Sequence, residues 1–221
     1  GIHVYAESEL AAASALQPMA MVAALMVAYV IGEGLGRIAC LSFGCCYGAP
    51  VSDVRPSLRR VFSRWNIVFH GPMKKAAYAG SLDGVPLVPI QTMTSWVHTV
   101  GGCLAVWLFL RGDVVNAFGV AAATALGWRF ASEFLRHDHR GAIRVSPYQW
   151  ASLVGLGYAA LLVAALRAPA PAVDLLGGLR AVWAPGPILA LQLIGVGLFL
   201  HSGVSKVTGC EARLHLHADR V

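Results

Sequence analysis

Five apolar runs, each long enough to cross a lipid bilayer, constrain the fold of this chain more than any other feature. They cover residues 16–36, 92–110, 114–135, 148–166 and 182–200. A helix needs roughly 20 mostly apolar residues to span the hydrocarbon core, and helical hydrogen bonding satisfies the backbone where no water is present. The sequence therefore predicts an all-α, polytopic integral membrane protein with about five transmembrane helices, forming a single membrane domain over residues 1–221.

The small number of charged residues excludes other classes of protein. Only 13% of the residues are charged, whereas a soluble domain usually carries about 25%. A disordered chain needs low hydrophobicity and high charge, which is the opposite of this composition. The basic residues lie beside the predicted spans and no nucleic-acid recognition motif accompanies them. We therefore expect no nucleic-acid partner.

The basic residues are distributed unevenly between the two sides of the predicted membrane domain. With five spans, twelve lie on the side of the first and third connectors and the C-terminal tail, and three lie on the other side. The positive-inside rule places the richer side in the cytoplasm. A second interpretation is that these residues capture anionic lipid head groups. The sequence leaves both interpretations open.

The five cysteines do not follow a common metal-binding or disulfide pattern. Cys45 and Cys46 are adjacent, and the sequence contains no CxxC pair. Zinc sites usually have such a pair, so the sequence predicts no metal and no cofactor. Cys103 lies within the second apolar run, where a buried cysteine behaves as a small apolar residue.

The connector between the first two apolar runs, from Leu41 to Gln91, is too long to be a simple turn. It contains a Gly/Cys/Tyr turn, a basic amphipathic segment at 54–62, a short apolar run at 65–69 and a proline-rich return to the membrane. Aromatic and basic residues beside a bilayer favour an interfacial lid or a head-group site. The alternative is a surface loop that only joins two helices.

Two groups of charged residues lie within the predicted spans. Glu33 and Arg37 are four residues apart and can pair on one helical face. Arg129, Glu133 and Arg136 have the spacing i, i+4, i+7, which places them on one stripe of a regular helix. Guanidinium groups bind phosphate oxygens in pairs, so these residues indicate a phosphate site. The alternative is an ion-pair network that orders the helices.

Four segments together resemble one known family. Residues 36–48 (GRIACLSFGCCYG) resemble the signature G-R-x-[GA]-N-F-x-N-x-E-x-x-G of prolipoprotein diacylglyceryl transferase. Residues 129–136 (RFASEFLR) resemble its R-F-x-x-E-F-x-R helix. Residues 146–152 (SPYQWAS) and 89–91 (PIQ) resemble parts of its S-x-G-Q-x-x-S and H-P-x-Q-L-Y-E segments. The four segments occur in the family's order and cover roughly residues 30–155, which leaves the helix at 182–200 and the tail as additions.

The resemblance implies a phospholipid-dependent transferase of the bacterial inner membrane. Such an enzyme moves a diacylglyceryl group from phosphatidylglycerol to the thiol of a lipobox cysteine and releases glycerol phosphate. The residues expected to act in catalysis are Arg37, Arg129, Glu133 and Arg136, with the arginines on the phosphate and the glutamate orienting them. The residues expected to bind substrate are Tyr47, Gly48, Cys45, Cys46, Gln91 and His98. The expected partners are an anionic phospholipid and either a lipobox-type protein acceptor or other membrane subunits, and the identity of the acceptor is left open.

The chain also departs from the family's pattern. Cys40 and Phe43 stand at the positions of two asparagines, Cys45 at that of the signature glutamate, and Val88 at that of a histidine. The arginines are therefore retained, whereas several other polar residues are not. This combination leaves a second interpretation open, in which the chain is a non-catalytic, lipid-binding structural subunit of a larger membrane complex.

Overall fold

The computed structural model describes residues 18–137, 145–165 and 174–203. The described residues belong to two compact units divided between Val173 and Asp174. We describe each unit by itself. Residues 16, 17 and 166 of the predicted spans, and the tail beyond residue 203, lie outside the described residues.

The first unit contains four helical segments that are long and apolar enough to cross a membrane. They are α1 (Pro18–Phe43), α4 (Ile90–Leu110), the composite segment Val114–Leu135, and α7 (Pro147–Ala165). Large apolar side chains on them point outward, as Val154 of α7 does with 70% exposure. Such a surface is unusual for a protein in water and suits a lipid environment. The prediction of an all-α, polytopic membrane protein is confirmed.

The second unit contains two shorter helices, α8 (Leu175–Val182) and α9 (Pro185–Gly203). They meet at a bend of 66°, and the pair has the length and composition of one span, either broken or re-entrant. The fifth predicted run therefore contains a helix, but that helix begins at Pro185 rather than at residue 182. Proline is well tolerated in the first turn of a helix, where its missing N–H has no partner to lose.

The core of the first unit lies between α1, α4 and the composite segment. Small residues form much of this interface: Ala23, Ala105 and Ala121 are completely buried. A Cβ atom added at Gly101 would lie 2.3 Å from the Thr124 hydroxyl oxygen. Small side chains let helices approach closely in membranes, where packing replaces the hydrophobic effect between helices.

The composite segment is not one regular helix. It consists of α5 (Val114–Ala122), a π-helical stretch (Ala123–Gly127), α6 (Trp128–Ser132) and a 3-10 turn (Glu133–Leu135). Arg136 follows in an extended conformation, with φ −89° and ψ 150°. The regular helical stripe predicted for Arg129, Glu133 and Arg136 is therefore wrong. The helix ends early because Leu135 accepts a hydrogen bond from the Ala49 backbone N–H, 2.8 Å away, and the next residue pairs with the connector.

The connector between α1 and α4 folds into a small structure with its own core. It contains α2 (Pro56–Phe62), β1 (Ile67–Val68), α3 (Lys75–Tyr78) and β2 (Pro86–Leu87), and the two strands pair antiparallel. Tyr47, Phe69, Ala76 and Leu87 form its core. The connector is attached to the membrane helices through an isolated β-bridge between Gly48 and Arg136. It is therefore a folded layer and not an extended loop.

Candidate functional site

A cavity rich in arginine lies between α1, α4 and the composite segment. It is small, since the centre of a water-sized molecule can occupy only about 10 Å³ of it, and nine of the described residues line it: Glu33, Arg37, Thr94, His98, Ala125, Trp128, Arg129, Ser132 and Arg136. Three arginines face one glutamate, so the charged lining residues have a formal net charge of plus two. Charge within a membrane protein is costly and marks functional sites. The excess positive charge makes this cavity a candidate anion site.

On the α1 side of the cavity, Arg37 pairs with Glu33 one helical turn earlier. Tyr29 forms a side-chain hydrogen bond with the same carboxylate. Both members of the ion pair are largely buried, with 14% and 16% of their side chains exposed. The pair holds the Arg37 guanidinium at the cavity wall, because a long side chain with one fixed partner loses much of its freedom to turn away.

His98 contributes an imidazole ring from α4. The residue is 1% exposed, and its Nδ1 lies 3.0 Å from the Thr94 carbonyl oxygen. Because a carbonyl only accepts hydrogen bonds, Nδ1 carries the proton and Nε2 is the acceptor nitrogen of the neutral ring. Nε2 has no hydrogen-bond partner and lies 3.8 Å from a Glu33 carboxylate oxygen. The ring is thus oriented with a basic nitrogen beside the cavity.

The other two arginines come from the third span and its extension. Arg129 lies over the Tyr148 ring, with its guanidinium carbon 4.7 Å from the ring centroid. Arg136 is held by its backbone bridge to Gly48. A Cβ atom added at Gly48 would lie 2.4 Å from the Val88 carbonyl oxygen. Gly48 therefore permits a close backbone contact with residue 88, and Gly48 also makes the bridge to the extended residue Arg136.

The structure brings together some of the residues that the sequence predicted for the site. Arg37, Arg129, Arg136 and His98 line one cavity. The other predicted residues do not line it: Glu133, Tyr47, Gly48, Cys45, Cys46 and Gln91. Tyr47 is part of the connector core. The buried Gln91 side chain donates a hydrogen bond to the Cys45 carbonyl oxygen, 2.9 Å away, and so holds the cysteine turn against α4.

Three cysteines meet beside this cavity. The sulfur atoms of Cys40, Cys45 and Cys46 all lie within 4.8 Å of one another, and the three residues are partly buried. Hydrogen bonds from the Cys40 and Cys45 thiols, together with the charges of Arg136 and Arg37, hold the pKa of Cys46 far below its usual range. Cys103, in contrast, is exposed on α4.

Sequence reasoning missed several residues of the site. Thr94 and Trp128 line the cavity, and the Trp128 indole N–H donates to the Thr94 hydroxyl, 2.9 Å away. Ser132 also lines it, and Tyr148 supports Arg129. Thr94 lies one helical turn before His98 in α4, so helical periodicity from His98 offered the only signal for it. Trp128 immediately precedes the RFASEFLR segment, and no sequence signal indicated that it lines the cavity.

An apolar groove adjoins the cavity and shares one wall with it. Its volume is about 900 Å³, and its lining residues are Trp65, Pro89, Thr92, Met93, Trp96, Val97 and Trp128. Trp128 also lines the arginine cavity. A cationic cavity and an apolar groove on the two sides of one residue form an amphipathic site.

Comparisons with known proteins identify the family of this polytopic membrane protein. The family described as prolipoprotein diacylglyceryl transferase matches residues 2–165, about three quarters of the chain, and the chain belongs to that family. A phosphatidylglycerol–prolipoprotein diacylglyceryl transferase 2 from Clostridium perfringens (strain 13 / Type A) is 32% identical over 117 residues. That match covers 51% of this chain and 38% of the relative, so the chain spans well under half of the relative's length. No solved structure matches the chain.

Proposed function

We propose that this protein is a diacylglyceryl transferase that takes its lipid group from an anionic phospholipid of the phosphatidylglycerol type. The observation that carries the proposal is the shared wall between the arginine cavity and the apolar groove, at Trp128. The cavity itself has room for about one water molecule. In this proposal the phosphate therefore binds at the mouth of the cavity beside the arginine side chains, with the acyl chains along the groove and in the bilayer.

The proposed reaction transfers the glyceryl carbon from phosphate oxygen to sulfur. The acceptor thiol loses its proton to Nε2 of His98, which is the basic nitrogen left available by the Thr94 contact. The sulfur attacks the terminal glyceryl carbon, a C–S bond forms, and the C–O bond to the phosphate breaks. The bonding electron pair leaves with the glycerol phosphate. Positive charge fixed at the departing oxygen stabilises the transition state.

The three arginines have the stabilising role in this proposal. Arg37, Arg129 and Arg136 are each held by a separate partner: an ion pair, an aromatic ring and a backbone bridge. The ion pair and the ring fix the guanidinium groups of Arg37 and Arg129, and the bridge fixes the backbone of Arg136, so little reorganisation accompanies the reaction. His98 supplies a base although Val88 stands where the family pattern has a histidine. We further propose a lipobox-type cysteine as the acceptor and the bacterial inner membrane as the location.

The test uses the full chain in phospholipid nanodiscs containing labelled phosphatidylglycerol and a lipobox peptide. We expect transfer of label to the peptide thiol, and a loss of about 100-fold or more in rate for Arg129→Ala, the usual effect of removing one charge-stabilising donor. Arg111→Ala is the matched control. Arg111 also stacks on an aromatic ring, 4.5 Å from the Trp107 centroid, but at the other end of α4.

Two results would count against the proposal. Retained binding of phosphatidylglycerol without any transfer would support the non-catalytic, lipid-binding subunit instead. Equal loss of transfer in Arg129→Ala and Arg111→Ala would show that any missing surface arginine disturbs the protein. Binding is therefore measured in the same nanodiscs with the same two variants.

A further inference from the structure

The three clustered cysteines are not explained by a phosphate site. Cys40 belongs to α1, whereas Cys45 and Cys46 follow the turn that ends this helix. Glu33, Arg37 and Cys40 have the spacing i, i+4, i+7, so the first thiol lies on the helix face that carries the ion pair. The cluster is thus an extension of the cavity wall.

The backbone brings the two adjacent thiols to the same side. In an extended chain, successive side chains point in opposite directions, so neighbouring cysteines do not normally approach one ligand together. Here Gly44 has φ +62° and Cys46 has φ +52°. The left-handed conformation is uncommon for a residue with a side chain. It turns the chain so that both sulfur atoms lie within 4.8 Å of the Cys40 sulfur.

The spacing of the sulfur atoms matches a metal-ion site. Zinc binds thiolate sulfur at about 2.3 Å with tetrahedral geometry, which places ligand sulfurs about 3.8 Å apart. The observed separations, all within 4.8 Å, need a closure of about 1 Å or less to reach this value. Three thiolates on Zn²⁺ give a net charge of minus one, and the nearby guanidinium groups of Arg37 and Arg136 complement it.

We propose that Cys40, Cys45 and Cys46 bind a zinc ion whose fourth coordination position takes the thiol of the acceptor. Three protein ligands with one open position are the arrangement of catalytic zinc sites, whereas structural sites have four protein ligands. The partial exposure of all three cysteines gives the acceptor access. A thiol bound to zinc is deprotonated, and its sulfur then lies beside the arginines that hold the phosphate.

The role of the acceptor rests on the proposed function, whereas zinc binding itself does not. In this step the acceptor thiol gives its proton to the His98 imidazole and binds zinc as a thiolate. Its lone pair then forms the C–S bond while the C–O bond to phosphate breaks. The zinc ion is neither oxidised nor reduced, and it is free to bind the next thiol when the thioether product leaves.

The first experiment measures metal binding by the reduced full chain in detergent, without lipid or acceptor. Co²⁺ is used as a spectroscopic probe in place of zinc, and a near-ultraviolet charge-transfer band reports its binding to thiolates. Zn²⁺ added afterwards should displace Co²⁺ and remove the band. We expect one ion per chain. Cys40→Ser, Cys45→Ser and Cys46→Ser should each weaken zinc binding by at least about tenfold, or about 1.4 kcal/mol. Cys103→Ser is the matched control and should bind like the parent protein.

The second experiment adds a lipobox peptide to the Co²⁺-loaded protein. We expect the cysteine peptide to shift the charge-transfer band, and the same peptide with serine to leave it unchanged. Any one of four results would overturn the zinc site. These are the absence of a Co²⁺ band in the parent protein, a band that survives all three substitutions, binding of Cu⁺ but not zinc, and a disulfide within the cluster that persists when zinc is added. An equal response to both peptides would overturn the acceptor role.

The two proposals fail in different ways. If no metal binds but labelled lipid is still transferred in nanodiscs, the zinc site is wrong and the transferase function stands. If zinc binds with the expected cysteine dependence but no transfer occurs with the zinc-loaded protein, the transferase function is wrong and the metal site stands.

Discussion

Arg129 lies over the ring of Tyr148, with its guanidinium carbon 4.7 Å from the ring centroid. The two residues come from different helices, α6 and α7, and Arg129 lines the cavity. A cation within about 6 Å of a ring centroid is attracted by the π face. The ring therefore helps to hold the Arg129 side chain at the cavity wall.

This contact predicts a difference between two substitutions of Tyr148. Tyr148→Leu removes the aromatic face, and a cation–π contact of about 0.5–2 kcal/mol corresponds to a loss of roughly 2–30-fold in binding of phosphatidylglycerol. Tyr148→Phe keeps the face and should bind within about twofold of the parent protein. Binding to nanodiscs of known lipid composition measures both. Tyr158→Leu, on the exposed part of the same helix, is the control. If Tyr148→Leu bound phosphatidylglycerol as well as the parent protein does, the contact would not contribute to binding.

The Glu33–Arg37 pair predicts non-additive effects on stability. Breaking a partly buried ion pair leaves an uncompensated charge, so Glu33→Gln and Arg37→Gln should each lower the free energy of unfolding. The double variant should lose less than the sum of the two, with a coupling of about 0.5–3 kcal/mol. Reversible denaturation of the parent protein, the two single variants and the double variant in one detergent measures this coupling. The control is the same set of variants at Glu33 and at Arg111, which lies at the far end of α4. The losses in the free energy of unfolding of these two substitutions should add within about 0.5 kcal/mol.

The close contact at Gly48 predicts a strong effect of one methyl group. A Cβ atom there meets the Val88 carbonyl oxygen at 2.4 Å, so Gly48→Ala forces apart two backbone segments of the connector, at residues 48 and 88. Such overpacking costs about 1–3 kcal/mol or more. Gly119→Ala, in α5 with no atom within 4 Å of the added Cβ, is the control and should stabilise the helix slightly. Thermal unfolding compares the two, and equal midpoints would contradict the contact.

Membrane orientation can be decided by labelling. The family resemblance places the connector between α1 and α4 in the periplasm, whereas the excess of basic residues on that side favours the cytoplasm by the positive-inside rule. We expect the periplasmic orientation, because arginines that bind head groups have a reason to break the rule. Ser63→Cys, exposed in the connector, should react with an impermeant maleimide in intact cells that have a permeable outer membrane. Arg111→Cys, after α4, should react only after lysis. The reverse pattern would establish the cytoplasmic orientation.

The membrane location and the four spans of the first unit were predictable from the sequence. Membrane-length apolar runs have few alternative folds, because backbone groups in lipid must bond within helices. The boundaries were less predictable. The first span was predicted to end at residue 36, yet α1 continues to Phe43 and contains half of the signature motif. The charged residues Glu33 and Arg37 interrupted the apolar run there, although residues 38–43 (IACLSF) are mostly apolar. The helix continues because its own hydrogen bonds and the connector at its end maintain it.

The sequence by itself placed three arginines at or near the ends of predicted spans, and periodicity correctly paired Arg37 with Glu33. Only the tertiary structure decided which residues share a cavity. Arg136 lies there although its helix has already ended, since its place is fixed by a bridge to Gly48, 88 residues earlier in the chain. The three cysteine sulfurs likewise meet through a left-handed turn that no spacing rule for metal sites describes. Local patterns report the faces of single helices, whereas a site between helices depends on contacts between residues that are distant in the sequence.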